Sequence, residues 1–291
     1  MNRLPLPDFF DDHAALQALS QNARVNSHPH LQPHVDAIRA GYQQYVAVAG
    51  NATMVQAIPL PDEIGGYLLG HYNSPNADLH HIKEIRSRSE VSTCPMCGSL
   101  HSGTLDHLLP KTAFPAFSIF GLNLVPACKC NGLRSTHLIG ANPGERILHP
   151  YFDDVLEQRL IAVRFTELGP VPLAAMRVLL DTNDPRFAAV AFHVRNVVER
   201  TGVLRFMSKS WATLIRRPGL LTVDLSVDPV SREELQEILQ NELTRCDGFH
   251  ESRNNWLSMF VAGLLDDDVL DWLYDQFSRP GRQANDPLVN S

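Results

Sequence analysis

Two close cysteine pairs constrain this chain more than any other feature. They frame the stretch Cys94–Asn131, which reads CPMCGSLHSGTLDHLLPKTAFPAFSIFGLNLVPACKCN and carries four of the five cysteines. Cys94-Pro-Met-Cys97-Gly98 is a tight turn that can place two thiolates on one ion, with Gly98 relieving the backbone after the second. Cys128-Lys-Cys130 can supply the other two, completing the tetrahedral set that a structural zinc takes. A CxxC and a CxC suit metal ligation in a reducing compartment better than a disulfide framework, and the distant Cys246 reads as a buried or inert thiol. Met1–Phe10 is broken by Pro5 and Pro7, unlike a secretory leader, and no apolar run approaches the roughly 20 residues that span a bilayer. The expected location is therefore the cytoplasm, with no membrane partner.

At 291 residues and 44% hydrophobic content the chain is long enough for a substantial core. Before the cysteines, helical periodicity dominates. Phe9–Leu19, Val35–Val48, Glu63–Tyr72 and Ala77–Arg88 read as helices, with a Pro/His-rich break at Asn26–Pro33. His28, His30, His34, His80 and His81 have no ligand spacing to a second cluster and read as surface or loop histidines. Between the cysteine pairs, Gly103–Leu105 and Asn123–Pro126 read as short strands, and a helix starts near Cys130 or Asn131. That unit is too small to bury its own core, so zinc supplies part of its stability.

After Gly144, Leu156–Phe165 reads as a strand and Leu220–Val227 as extended. Helices are expected at Arg186–Arg200, Leu204–Arg216, Asn254–Leu265 and Asp267–Phe277, and one opens at Ser231 with Glu233 and Glu234 in its first turn. Trp211, Trp256, Phe260 and Trp272 fall on helical core positions. Asp266-Asp267-Asp268 reads as helix capping rather than metal binding. Pro280–Ser291 reads as a frayed tail. The fold class is mainly α within an α+β frame: an N-terminal helical region (1–89), a central ββα-metal finger (90–145) presented at the surface, and a mainly helical C-terminal region (146–291).

Leu105-Asp106-His107 carries the chemistry. A neutral imidazole can take a proton from water at physiological pH, and a neighbouring carboxylate is a hard oxygen ligand for magnesium. Phosphodiester cleavage needs both a base to make the nucleophile and a cation to neutralise charge on the leaving oxygen. Asn131 can add an amide oxygen to the same cation. Asn123 is placed to bond backbone near His107 and hold the imidazole in line.

CPMCG, LDHLLPK and NLVPACKCN together resemble the HNH endonucleases of the His-Me, or ββα-metal, finger superfamily, in the subgroup stapled by two cysteine pairs. The resemblance covers about residues 90–140 and leaves the flanks unassigned. It implies His107 as general base, Asp106 and Asn131 as Mg2+ ligands, Asn123 as the asparagine that braces the loop, and a 5′-phosphate and 3′-hydroxyl as products. Lys111 and Arg134 are the residues suited to phosphate contact. In this subgroup the second pair is usually CxxC followed by Asn, whereas here it is CxC. Loss of one residue before a helix turns Asn131 by about 100°. Either the loop before Cys128 compensates, or His101 or His137 replaces a cysteine in the zinc set.

Charge bears on partners. The formal net charge is −7, while the segment Lys83–His149 is +3 and the remainder −10. An acidic body with a mildly basic centre calls for help in gripping DNA, from a second copy of the chain or from a protein partner. By architecture the chain also resembles nuclease components of bacterial phage-defence or mobile-element modules, some of which work with an ATPase. The expected partner is DNA. Two other readings stay open: a non-catalytic zinc-stapled scaffold, and the same chemistry on RNA or single-stranded DNA.

Overall fold

The computed structural model describes residues 1–88, 93–101, 103–134 and 136–289. The expected boundary at 89/90, the side chain of Arg88 and the last two residues of the tail lie outside the described residues. Among the described residues ten α-helices and four strands follow one another: α1 (Asp12–Gln21), α2 (Val35–Ala47), α3 (Asp62–Asn73), α4 (His80–Arg88), β1 (Thr104–His107), β2 (Leu124–Ala127), α5 (Cys130–Arg134), β3 (Ile161–Thr166), β4 (Leu173–Val178), α6 (Phe187–His193), α7 (Val203–Arg216), α8 (Arg232–Phe249), α9 (Trp256–Leu264) and α10 (Asp267–Phe277). Helices with two small antiparallel sheets make this an α+β fold. No helix among the described residues is long and apolar enough to cross a membrane.

Local chemistry explains where the helices begin. The Asp11 carboxylate accepts from His13 N–H and Ala14 N–H and opens α1. Ser231 accepts from Glu234 N–H to open α8, whose first turn holds Glu233 and Glu234 against the positive end of the dipole. Asn255 does the same for α9 through Ser258 N–H.

Three apolar clusters organise the packing. In the first, α1–α4 enclose the loop between β1 and β2: Leu16, Ile38, Tyr42, Tyr45, Leu68 and Ile82 close on Leu105, Leu109, Phe117, Phe120 and Leu124. Tyr42 stacks on Phe120 at 4.1 Å, and Tyr45 lies 5.3 Å from Phe117. Such aromatic pairs add about 0.5–1.5 kcal/mol each beyond their burial. The second cluster joins the four paired cysteines to Val125 and Ala127 of β2, Ile147, Tyr151, Phe192 and Val197. In the third, β3 and β4 pack against α7–α10 around Trp211 and Phe260. Gly263 lets α9 press onto β3, since a Cβ there would come within 2.2 Å of Val163 O.

The structure departs from the sequence reading in several places. The central unit is wedged between the N- and C-terminal helices rather than carried on the surface, because both strands contribute side chains to cores that the flanks supply. β4 pairs with β3 in register Ile161↔Val178 to Thr166↔Leu173, although its alternation of half-buried Ala, Met and Val carried no strand signal. Leu220–Val227 forms turns at Pro218–Leu220 and Val223–Ser226 instead of an extended segment. Helix Arg186–Arg200 changes character midway: α6 passes into a π-helical turn at Val194–Val198.

The tail is docked as far as it is described. Leu288 is fully buried, its N–H bonds Ile215 O at 2.7 Å, and Arg282 pairs with Asp228. His81 is buried rather than exposed and bonds Ile119 O at 3.0 Å. Trp256 is only partly buried and donates its indole N–H to Cys97 O at 2.9 Å. Asp266 and Asp267 pair with Arg177 and Arg232 rather than accepting at the helix start.

Candidate functional site

The cysteine centre is built from two turns. Cys94–Gly98 closes through Gly98 N–H to Cys94 O at 2.9 Å, with Gly98 at φ +76°. A side chain at Gly98 would be strained twice over, by that φ and by a Cβ 2.1 Å from Asn254 O. The second turn leaves β2: Cys128 precedes α5 and Cys130 is its first residue. Helix rotation starts only after Cys128, so two cysteines one residue apart reach the same point. The CxC spacing thus serves the cluster at the strand–helix junction.

All four sulfurs lie within 4.8 Å of one another and are buried. Cys94 Sγ is 3.7 Å from Cys130 Sγ and Cys97 Sγ 3.4 Å from Cys128 Sγ, far from bonded disulfide distance. A tetrahedral ion with Zn–S bonds of about 2.3 Å sets sulfurs ~3.75 Å apart, so the cluster fits zinc. Four thiolates this close repel one another, and a divalent cation removes that cost. Cys128 N–H donates to Cys94 Sγ and Cys130 N–H to Cys128 Sγ, at 3.3 and 3.4 Å, as thiolate ligands accept from backbone. His101 and His137 do not belong to the cluster; the His137 ring instead bonds Arg134 O through Nδ1 at 3.0 Å.

Asp106 and His107 end β1, which pairs antiparallel with β2 in register Thr104↔Ala127 through His107↔Leu124. Alternation along the strand turns His107 inward and leaves Asp106 half-buried. The His107 Nε2 lies 2.8 Å from Ser118 O. A carbonyl only accepts, so Nε2 carries the proton and Nδ1 keeps its lone pair. Burial lowers the pKa of His107 to about 4, opposed by Ser118 O and the Asp106 charge, so the ring is neutral at physiological pH. Asp106 accepts from His107 N–H at 2.7 Å.

Asn123 is fully buried and ties the intervening loop: Nδ2 donates to Leu109 O and Phe117 O at 3.2 and 3.1 Å, and Oδ1 accepts Leu109 N–H at 2.8 Å. Asn131, on α5, is buried, with Oδ1 accepting Arg134 Nε–H at 3.2 Å and Nδ2 unpartnered. Arg134 is buried too. It donates to His107 O and Leu108 O, and its NH1 is the guanidinium nitrogen left unpartnered. Burial brings its pKa down to about 10, against the pull of Asp106. Arg134 thus links α5 to the end of β1 and lies near Asp106. Lys111 sits 4.9 Å from the Tyr72 ring centroid, and the Tyr72 ring meets His107 edge-on at 4.2 Å.

The loop is also held from the helices before it, by groups whose role had no local signal. Tyr72 donates to Leu105 O at 2.6 Å, the Asp12 carboxylate accepts Gly121 N–H at 2.9 Å, and His81 bonds Ile119 O. From the other side, Leu148 N–H donates to His193 Nδ1 and the His193 ring bonds Met96 O in the cysteine turn.

Among known proteins, 67 residues, 22% of this chain, are 36% identical to protein ea31 of Escherichia phage lambda. The match spans 23% of that phage protein. No family model matches the chain, and no solved structure does.

Proposed function

We propose that the chain is a metal-dependent HNH-type endonuclease that hydrolyses DNA phosphodiester bonds, with a zinc-bound Cys94, Cys97, Cys128 and Cys130 set shaping a ββα finger. The observation that carries this reading is the hydrogen bond that sets the tautomer of His107: Nε2–H is spent on Ser118 O, so Nδ1 is the basic nitrogen, while Asp106 accepts from His107 N–H and the Asn131-bearing helix reaches His107 O through Arg134. In this reading His107 Nδ1 takes the proton from the attacking water. Asp106 and Asn131 would hold Mg2+, for which a carboxylate and an amide oxygen are suitable hard donors; Asn131 Oδ1 accepts one hydrogen bond, from Arg134 Nε–H, and has a second lone pair for the cation. The cation would neutralise charge on the phosphate and the leaving oxygen. Asn123 keeps the loop after His107 in place. Lys111, at the rim of His107, meets the phosphate, and Arg134 braces the site with one guanidinium nitrogen to spare.

Cleavage leaves a 5′-phosphate and a 3′-hydroxyl. The acidic body draws its remaining grip on DNA from a second copy of the chain or an ATPase-type partner. The likeness of a segment to a phage protein is in keeping with a phage-defence or mobile-element setting inside a bacterial cytoplasm.

The burial of His107 favours a second reading, a non-catalytic zinc-stapled scaffold: the ring is only 4% exposed, and that burial leaves its pKa low for a base. The test is nicking of supercoiled plasmid, with linear DNA, single-stranded DNA and RNA run in parallel. Wild type with Mg2+ should nick the plasmid, and His107→Ala should reduce the rate at least about a hundred-fold. Equal nicking by both proteins, or none by either on any substrate, would sink the nuclease reading.

A further inference from the structure

A buried chain of hydrogen bonds enters the β1–β2 loop from two distant segments, and its donors and acceptors can be assigned one by one. Tyr151 N–H can only donate, and it donates to His149 Nδ1 at 3.2 Å. Nδ1 therefore carries no proton, and the neutral ring carries it on Nε2. Burial keeps this imidazole neutral, lowering its pKa to about 3 against the opposing charge of Asp153. His149 Nε2–H faces Tyr45 Oη at 2.9 Å, so the hydroxyl accepts there and has its own proton to give. That proton goes to Asn123 Oδ1 at 3.3 Å.

Asn123 is then fixed in one orientation. Flipping its amide would set Nδ2 against Leu109 N–H and Oδ1 against Leu109 O and Phe117 O. Phe117 adjoins Ser118, whose carbonyl receives His107 Nε2–H. The backbone around this chain is close-fitted: Gly50, at φ +60°, passes so near that a Cβ there would lie 2.3 Å from His149 Cδ2 and 2.9 Å from the Tyr45 ring.

We infer that Tyr45 and His149, which lie outside the cysteine-framed motif, are positioning residues that hold His107 in its Nε2–H form through Asn123 and the Phe117–Ser118 backbone. The inference rests on the nuclease reading for its purpose, but the hold itself is independent of activity. Neither residue touches a reacting atom. Tyr45 from α2 bonds Asn123 directly, and His149 from the segment before β3 acts on it only through the Tyr45 hydroxyl, which ties both flanking regions to the geometry of the base.

The test is a long-range 1H–15N correlation spectrum of histidine in zinc-loaded protein labelled with 15N-histidine. In wild type near pH 7.5, His149 and His107 should both show the Nε2–H pattern. In Tyr45→Phe, His107 should lose that single pattern and show mixed tautomers, while His149→Gln, whose amide can still accept from Tyr151 and donate to Tyr45, should keep it. Where nicking is measurable, Tyr45→Phe should lower kcat about ten-fold or more with KM for plasmid unchanged, and His149→Gln should restore most of the rate. A wild-type His149 in the Nδ1–H form overturns the inference without any variant. So does a folded Tyr45→Phe protein whose His107 spectrum is that of wild type. A wild type that does not nick defeats the nuclease reading alone, since the spectra still decide the hold on His107.

Discussion

His107, His149 and His193 are held neutral at the centre of the molecule, each with its pKa lowered by burial from 6.5, to about 4, 3 and 4. Asp12 is the counterweight: burial raises its pKa to about 7. The signs follow from linkage. Below pH 6.5 the unfolded chain protonates its histidines while the folded chain does not, so the contribution of each imidazole is complete above 6.5 and is lost as pH falls towards 4. Asp12 works the other way, binding a proton in the folded state that the unfolded chain releases. Three of these histidines against Asp12 leave about two protons, and His71 and His81, whose pKa burial also lowers, add to the same side, so unfolding free energy should fall by at least roughly 2 kcal/mol per pH unit near pH 5.5. Urea unfolding of zinc-loaded protein between pH 5 and 7 measures it, and His149→Gln should reduce the slope by nearly one proton. An unchanged slope in that variant would remove His149 from the account.

The same residues mark where the sequence could be read and where it could not. The cysteines meet as their spacing predicts, because two tight turns act over a few bonds. Tyr45 meets Asn123 across 78 residues and His149 across 104, and Asp12 reaches Gly121 across 109. Such partners leave no periodicity or spacing, so His149 passed unremarked and His81 read as a surface residue.

At the scale of elements, the segments with strong local signals fell where capping and apolar spacing put them: α1, α2, α7, α8 and α10. Those that failed have their conformation decided elsewhere. β4 is a strand because β3 offers it a ladder, and the tail up to Val289 is docked because Ile215 O and Asp228 receive it. The Cys94–Gly98 turn belongs to both groups. Its ligand spacing was legible, but its packing against the segment before α9 was not: Trp256 N–H and the indole N–H bond Gly98 O and Cys97 O. A side chain at Gly98 must meet Asn254 O and a left-handed backbone together. Gly98→Ala should therefore cost at least about 2 kcal/mol and loosen the zinc. Chemical unfolding and competition with a metallochromic chelator would show it, whereas wild-type stability and zinc retention would mean that the turn tolerates what the geometry forbids.

Across the whole molecule, the central unit owes its shape to both flanks. Its loop is enclosed by α1–α4 and its cysteine turns by the C-terminal half, so neither hairpin nor zinc turns stand as an independent finger. The proposed function assigns two separate metal roles to this one small unit. The four cysteines offer soft thiolates to a closed, structural ion, and in the proposed reading Asp106 with Asn131 would offer hard oxygens to an open one. That separation is the central claim. Anomalous diffraction from crystals grown with zinc and soaked in Mn2+, recorded at the absorption edges of both metals, tests it most directly. The account predicts a zinc peak among Cys94, Cys97, Cys128 and Cys130 and a distinct manganese peak against Asp106 and Asn131. Manganese at the cysteines, or none at Asp106, would contradict it.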